Sequence, residues 1–473
     1  MDRNITTEEY SSPFSSRYGS VPMRRIFSEK NRRLIWRQIW IALAEAEHKF
    51  GLVTSEQVED LRLHAPDVSI ERALEIEKEI GHDVMAEVRA FAELCPVGGG
   101  IIHWGATSAD ITDNADVLRM RDALDLLLDK QRSLLQALAA RIERHADLVV
   151  LGYTHLQPAE PTTLGYRLAL YGQDVLEHWQ EIRRVRDGLR GKGMKGAVGT
   201  AASYGEILSG KNVSPDMIDA TVMESLGLKA FPIASQTYPR IQDYRVVSAL
   251  AGLAASLHKF AFDLRIMQSA GFGEAREPMG KRQVGSSAMP FKRNPVKAEN
   301  VCSLARWISV LPQVAWQNAA QNLMERTLDD SANRRSMIPE AFLAMDEILE
   351  NMTRIVGNLD VDEEGCRANL DKFGAFSASE RVLMALVAAG ADRQLMHEKI
   401  REHSRKAWDA LRGGRPNPLG EYLAADADML RHLQPAKIRE LMDAHAYVGT
   451  APERAREMAE TIRSELKKKV SAG

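Results

Sequence analysis

At 473 residues the chain is too long for one small hydrophobic core, so it must divide into domains or form one very extended helical body. A net charge of −3, with 27% charged and 45% hydrophobic residues, gives no general attraction to nucleic acid or to an anionic membrane, and no stretch approaches eighteen uncharged apolar residues. Cys95, Cys302 and Cys366 are too few and too scattered for a disulfide framework or a zinc cluster, and Met1-Asp2-Arg3-Asn4 lacks a basic-then-apolar leader pattern, so the cytoplasm is expected.

Residues 1 to 28 are polar and turn-rich, with Arg17 and Tyr18 beside the flexible Gly19. From Glu29 the pattern turns helical: Ile39, Leu43, Ala46 and Phe50 recur at spacings of three and four, and Gly51 ends the run. Thr54 with Gln57 reads as a capping box for a second helix. Gly81-His82-Asp83 opens another run to Phe91, and Gly98-Gly99-Gly100 breaks it before an extended loop over Ile101 to Ser108. Asp110 to Leu148 then contains neither glycine nor proline. Val117, Leu124, Leu127, Leu134, Leu138 and Ile142 hold one apolar face through it, which predicts a single helix of roughly 50 Å or more. Such a helix implies an elongated bundle.

Val149 to Gly165 carries prolines that forbid a helix, so His155 is expected on a structured connection. Further long helices are predicted over about 164–189, 243–269, 295–323 and 336–356, the one over 295–323 kinked at Pro312. Ala249, Ala251, Gly252, Ala254 and Ala255 suit close approach of helix backbones in the run over 243–269. Gly191 to Ser214 reads as a glycine-rich loop, and Ala230 to Arg240 as a connection. Beyond Asp360 the helices shorten and turns multiply. The expected division is residues 1–108, 109–360 and 361–473, an all-α, three-domain elongated subunit around a central long-helix bundle.

Gly191-Lys192-Gly193-Met194-Lys195-Gly196 matches the dinucleotide fingerprint, but it follows a charged helical run, where that fingerprint requires a strand. Neither HExxH nor CxxC spacing occurs, so no metal site is expected. His82-Asp83 and His103 read most simply as a helix start and a structural histidine. His155, on a rigid loop, carries the side chain that titrates nearest neutrality, although a buried histidine bonded to a backbone carbonyl would give the same pattern. Glu325 to Arg335 is dense in anion-binding groups, with Ser331 able to act as an N-cap. The most demanding stretch is Gly285 to Glu299: paired serines and a lysine run into Asn294-Pro295, an N-cap and first-turn pair, and a helix N-terminus suits a carboxylate or phosphate.

These segments together resemble the fumarase/aspartase superfamily, whose long-helix subunits share a loop of the form GSSxMPxKxNP. Gly285-Ser286-Ser287-Ala288-Met289-Pro290-Phe291-Lys292-Arg293-Asn294-Pro295 matches it. Ser16-Arg17-Tyr18, His82-Asp83-Val84, Gly105-Ala106-Thr107-Ser108, Thr154-His155, Ser235-Gln236-Thr237 and Glu325-Arg326 to Arg335 are similar to the branch that acts on succinylated purine nucleotides, over nearly the whole chain and most thinly after about Asp360. The resemblance implies a cofactor-free elimination of fumarate from small-molecule substrates, succinylated purine nucleotides and their precursors, with no nucleic-acid or membrane partner. It also implies a homotetramer whose long helices form one multi-helix core, with each active site built from three chains.

Carried over by that resemblance, the catalytic set is Ser286 as general base, His155 as general acid, Lys292, Glu299 to orient His155, and His82. The substrate-binding set is Arg17, Tyr18, Asp83, His103, Thr107, Ser108, Gln236, Ser287, Asn294, Arg326, Ser331 and Arg335, the arginines suiting phosphate and carboxylate by bidentate contacts. The chain departs from the branch at Gly81, where a basic residue usually precedes the His-Asp pair; another residue such as Arg293 would have to supply that phosphate contact. An argininosuccinate lyase or a carboxymuconate cycloisomerase would share the Gly285 loop without the Arg-Tyr and Asp329-to-Arg335 segments, and a catalytically silent helical scaffold is opposed by the intact Ser286, Lys292 and His155.

Overall fold

A computed structural model describes residues 10–280 and 282–468, so Met1 to Asn4 lie outside the described residues. A turn over Pro13–Ser15 leads into α1 (Val21–Ile26) and α2 (Glu29–Lys49), followed by α3 (Ser55–His64), α4 (Ile70–Ile80) and α5 (Asp83–Ala92). The expected capping box forms at α3, Thr54 and Gln57 each satisfying the other's backbone N–H. Gly81 closes α4 in the left-handed conformation with φ 66°, which a glycine adopts without steric cost.

The central helix α6 spans Ser108–Arg144, 37 residues and roughly 55 Å. It starts two residues earlier than its apolar periodicity suggests because Thr107 and Asp110 form a second capping box. All six residues of the predicted apolar face, Val117 through Ile142, are fully buried. The proline-bearing stretch that follows is a β-hairpin, β1 (Val149–Thr154) paired antiparallel with β2 (Gln157–Thr163). Pro158 and Pro161 are tolerated because two strands have only edges. Thr154 pairs with Gln157, which leaves His155 and Leu156 as a two-residue turn with φ 53° and 58°. Both angles are those of a type I′ turn, here made without glycine.

The chain returns along α7 (Leu164–Asp187). The glycine-rich stretch after it carries a short helix, α8 (Ala202–Ile207), before α9 (Pro215–Ser225). Three long helices, α10 (Ile241–Met267), α11 (Val296–Ala320) and α12 (Ser331–Gly357), complete the bundle, with α10 against α7, α11 and α12. Pro312 and Pro339 both lie inside helices that continue past them. A Cβ at Gly252 of α10 would stand 3.0 Å from the His178 ring of α7, so the small residues there do permit close approach. By length and apolar content alone α10 could cross a bilayer, yet Asp243 near its start is fully buried in an ion pair with Arg334 inside the bundle.

After α12 come α13 (Glu363–Ala388), α14 (Arg393–Arg412), α15 (Leu419–Ala424) and α16 (Pro435–Leu441), which enclose a separate small core around Met396, Leu419, Leu423 and Ile438. The last helix, α17 (Ala451–Lys467), leaves that group and lays Ala455, Ala459, Ile462 and Leu466 into the main core beside α6 and α7. By packing, α17 lies with the bundle although it follows residue 360 in sequence. The main core likewise takes in Trp36, Trp40 and Leu43 of α2.

Candidate active site

One end of the bundle holds a cleft of about 780 Å³ where the N-termini of α5, α6 and α12 meet the segment leading into α10. Each element presents its polar residues through a helix start. Thr107 caps α6, its N–H donating to Asp110 Oδ2 at 2.9 Å, which turns Ser108 toward the cleft. His82 caps α5: its Nδ1 accepts the Met85 N–H at 3.3 Å, which leaves Nε2 facing Ser108 Oγ at 3.4 Å. Asp83 takes Arg335 Nη2 from α12 at 3.0 Å. The Gln236 N–H donates to the Glu325 carbonyl at 3.2 Å, joining the two loops that frame the opening.

Below these groups lies a buried lattice of charge. Arg240 forks onto Asp113 at 3.0 and 3.1 Å and reaches Asp330 at 2.6 Å; Asp330 also accepts from Arg326 at 2.8 Å. Arg334 donates to Asp243 and to the Tyr238 hydroxyl, each at 2.7 Å, and stands 3.2 Å from Asp116. Burial alone would depress the Arg334 pKa, but Asp243, Asp116 and Asp113 hold it well above the ordinary guanidinium value. Burial would likewise raise Asp330, yet Arg240, Arg334 and Arg326 hold it low. These groups are charged and mutually satisfied before any ligand arrives.

Eight residues expected from sequence therefore line one cleft: His82, Asp83, Thr107, Ser108, Gln236, Arg326, Ser331 and Arg335. Ser331 is the first residue of α12 and Asp330 occupies the cap position. Arg17 and Tyr18 stand elsewhere, on a turn pinned to the middle of α12 by Gly19 N–H to Glu347 at 3.2 Å and Ser20 N–H to Asp346 at 2.6 Å. His103, with φ 71°, is half-buried and accepts the Trp40 indole N–H on Nδ1 at 3.0 Å. Burial lowers its pKa, as suits a neutral structural ring. Gly81 lines the cleft, and Arg293 does not.

The remaining predicted residues lie at the opposite end of the bundle. His155, at the hairpin tip, is exposed. Its hairpin is fastened to the end of α10: the Tyr153 ring meets Phe272 edge-on at 4.8 Å, and Arg167 bridges Glu274 and the Leu151 carbonyl at 2.7 and 2.6 Å. The loop of Ser286, Ser287, Lys292 and Asn294 leaves from the same end, held where Gln268 Nε2 donates to the Arg293 carbonyl at 2.8 Å. Ser286 is half-buried, and its Oγ accepts the N–H groups of Met289 at 3.1 Å and Ala288 at 3.4 Å. Ser287 and Lys292 are exposed, and Glu299 stands 4.0 Å from Arg265.

Two expectations about this loop are corrected. Asn294 does not cap α11; its side chain donates to the Gly285 carbonyl at 2.8 Å, and Pro295 takes the cap position with no side-chain bond. The α11 N-terminus is therefore no open anion site, because the Lys297 and Ala298 N–H groups already donate to the carboxylate of Glu277, at 3.1 and 2.9 Å.

Arg240 and Gln268 flank the 27-residue α10, so roughly 40 Å of helix separates the cleft from the loop in one chain. Sequence reasoning missed Arg240, Arg334, Asp113, Asp330 and Glu277. Arg240 and Arg334 sit inside segments already singled out; Asp113, one turn into α6, gives no local signal.

A family model described as "Lyase" matches residues 17–309, and one described as "Adenylosuccinate lyase C-terminus" matches 375–458, the region where the motif resemblance is thinnest. The chain is 40% identical over 454 residues to an adenylosuccinate lyase of Saccharomyces cerevisiae, covering 94% of this chain and 93% of that one. It is 35% identical to one of Archaeoglobus fulgidus, covering 96% and 99%. Among solved structures it is similar to a fumarate lyase from Mesorhizobium sp. BNC1 (TM-score 0.83, 26% identity, 96% and 99% covered) and to the 3-carboxy-cis,cis-muconate lactonizing enzyme of Pseudomonas putida (TM-score 0.84, 26% identity, 95% and 99% covered).

Proposed function

The chain belongs to the adenylosuccinate lyases of the fumarase/aspartase superfamily, and from that premise we propose how its two ends share one reaction. It is a fumarate-releasing carbon–nitrogen lyase that splits adenylosuccinate into AMP and fumarate and acts likewise on succinylaminoimidazole-carboxamide ribotide in purine biosynthesis. The cleft end is the binding half. Arg326 and Arg335 take phosphate and carboxylate there, with Ser108, Gln236 and Ser331 as hydroxyl and amide partners. The loop end is the reacting half.

In the elimination, the Ser286 oxygen removes the proton on the carbon next to a carboxylate. The C–H electron pair forms the new double bond, the C–N bond breaks, and His155 supplies the proton that the leaving nitrogen needs. Charge accumulates on the carboxylate oxygens before the bond breaks, and the Lys292 ammonium stabilises it. The Ala288 and Met289 N–H groups within reach of Ser286 Oγ would steady negative charge on that oxygen, which favours Ser286 over Ser287 as the base. Glu299 orients the imidazole.

The observation that carries this assignment is the roughly 40 Å of α10 between the two halves: a complete site needs the loop end of one copy against the cleft end of another. A homotetramer with antiparallel bundles supplies that arrangement, and the exposed Phe262, Trp307, Val310 and Trp316 on α10 and α11 are faces that such a core would cover. We infer a cytoplasmic location from the three buried, unpaired cysteines. The test is fumarate release from adenylosuccinate by purified protein whose mass is measured in solution. Turnover by a tetramer is expected; no turnover, or turnover by a monomer, overturns the assignment.

A further inference from the structure

A buried carboxylate that belongs to neither half of the site holds the start of α11. Glu277 is 5% exposed, and its two oxygens accept the Lys297 and Ala298 N–H groups, a helix cap delivered from twenty residues upstream. Burial pushes its carboxyl above the ordinary range even so. A serine or aspartate at the cap position would satisfy the same N–H groups beside water, so capping alone does not explain a buried glutamate. What the remote cap adds is a tie between the beginning of the signature loop and the helix at its end.

Gln268 makes the second tie. Its Oε1 accepts the Glu277 N–H at 3.0 Å while its Nε2 donates to the Arg293 carbonyl at 2.8 Å, so one amide joins both ends of the stretch from 278 to 292. Outside this stem, Val284, Met289 and Phe291 stand exposed. The loop is thus a tip of exposed residues on a closed, partly buried stem, and Lys292 and Asn294 are the functional residues nearest the closure.

We propose, on the footing of the roles given above to Ser286 and Lys292, that Glu277 is a positioning residue which, with Gln268, closes the stem of the signature loop and sets where Ser286, Lys292 and Asn294 stand when the loop meets substrate. Loss of the stem lets the tip sample orientations in which base and ammonium miss the reacting carbon. The cleft is built at the other end of the bundle and keeps its affinity.

The test combines steady-state kinetics on adenylosuccinate with amide hydrogen exchange on the whole protein. Glu277→Ala is expected to lower kcat by about tenfold to a hundredfold with KM moved less than about threefold, and to speed exchange at the Lys297 and Ala298 amides. Glu277→Gln keeps one acceptor and recovers part of kcat. Gln268→Ala leaves the buried carboxylate and its cap in place, so it folds where Glu277→Ala fails, and it lowers kcat by about threefold to tenfold. KM rising in step with an unchanged kcat, or kinetics of Gln268→Ala equal to wild type, would overturn the proposal. Exchange at the two amides reads the tie without any turnover, so it separates failure of the stem from failure of the proposed chemistry.

Discussion

The cleft end and the loop end of the bundle differ in how their polar groups are held. At the cleft, Asp113, Arg240, Asp330, Arg334, Asp243 and Tyr238 are buried and each is bonded to at least one of the others, so Arg326, which donates to Asp330, is fixed in advance. At the loop end, Lys292, Ser287 and His155 are exposed, and the loop is tied at its stem. Binding needs charges that pay no reorganisation when a nucleotide arrives; proton transfer needs groups that can close on a substrate already held. The difference fits the division of roles proposed above for the two ends.

The largest expected effects test whether the two ends of different copies meet. Ser286→Ala and His155→Ala should each lower kcat by about 10²–10⁴-fold, the range of a single general acid or base. Arg326→Ala, at the other end, should raise KM for adenylosuccinate strongly. When Ser286→Ala subunits are mixed with Arg326→Ala subunits under conditions that exchange subunits, at a substrate concentration too low for either variant alone to turn over, fumarate release should return, because some sites then combine one intact loop with one intact cleft. If each chain contained its own complete site, the mixture would stay as inactive as its parts.

Next in size is the rigidity of the cleft. The Gly191-to-Gly196 loop, whose spacing imitates a nucleotide fingerprint, wraps the first turn of α6: buried Lys192 pairs with Asp110, the Lys195 and Gly196 N–H groups reach the same carboxylate, and Asn114 and Asp219 hold Gly193 and Met194. Lys192→Met leaves the Asp110 charge buried without its cation, which should cost about 3–5 kcal/mol of stability. It should also raise KM, since Asp110 holds Thr107 and so aims Ser108. Thermal unfolding and KM measure the two effects, and Lys192→Met combined with Asp110→Asn should recover most of the stability. A cleft that tolerated Lys192→Met in both measurements would not be preorganised.

How much of this was legible in the sequence follows the range of each interaction. The apolar face of α6, the Thr54 capping box and the motif segments are local and were readable. So in principle was the separation of the ends, since Gln236 and Gly285 flank a predicted helix of some twenty-five residues or more. The hairpin bearing His155 was hidden because Pro158 and Pro161 argue against any strand except an edge. The pairing of Lys192 with Asp110 joins residues 82 apart, and the Glu277 cap spans 20, so no periodicity could announce either. The Asn294-Pro295 signature failed for the same reason: a distant carboxylate satisfied the N–H groups that a local cap would have taken.

A pH test separates the bundle's interior from both ends. Glu47 of α2 is 1% exposed, neither oxygen has a hydrogen-bond partner among the described residues, and burial raises its pKa to about 8. Its folded value lies above its unfolded value of 4.5, so its contribution to stability is complete below that pH, where both states are protonated. Above it the unfolded chain releases a proton that the folded chain keeps, and stability falls until about pH 8. Glu47→Gln removes this loss. Its melting temperature should match wild type near pH 4.5 and exceed it at pH 8, by the equivalent of roughly a few kcal/mol. A constant difference across that range would mean that Glu47 is ionised in the fold.

The smallest effect concerns Gly81 and whether the cleft is full. A Cβ built there finds nothing within 4 Å, so a side chain would enter open space on the cleft wall between Glu77 and His82. The backbone angle of 66° opposes any such residue by about 1 kcal/mol. Gly81→Lys should thus lower the melting temperature by a few degrees while adding a cation to the wall of the proposed binding cleft. If the arginines already present leave one phosphate oxygen without a partner, KM for adenylosuccinate should fall by about threefold to tenfold, an ordinary gain for one exposed charge-assisted hydrogen bond. If KM is unchanged while stability drops as expected, the cleft is electrostatically complete without a basic residue at 81, and the rigid lattice beneath it accounts for binding alone.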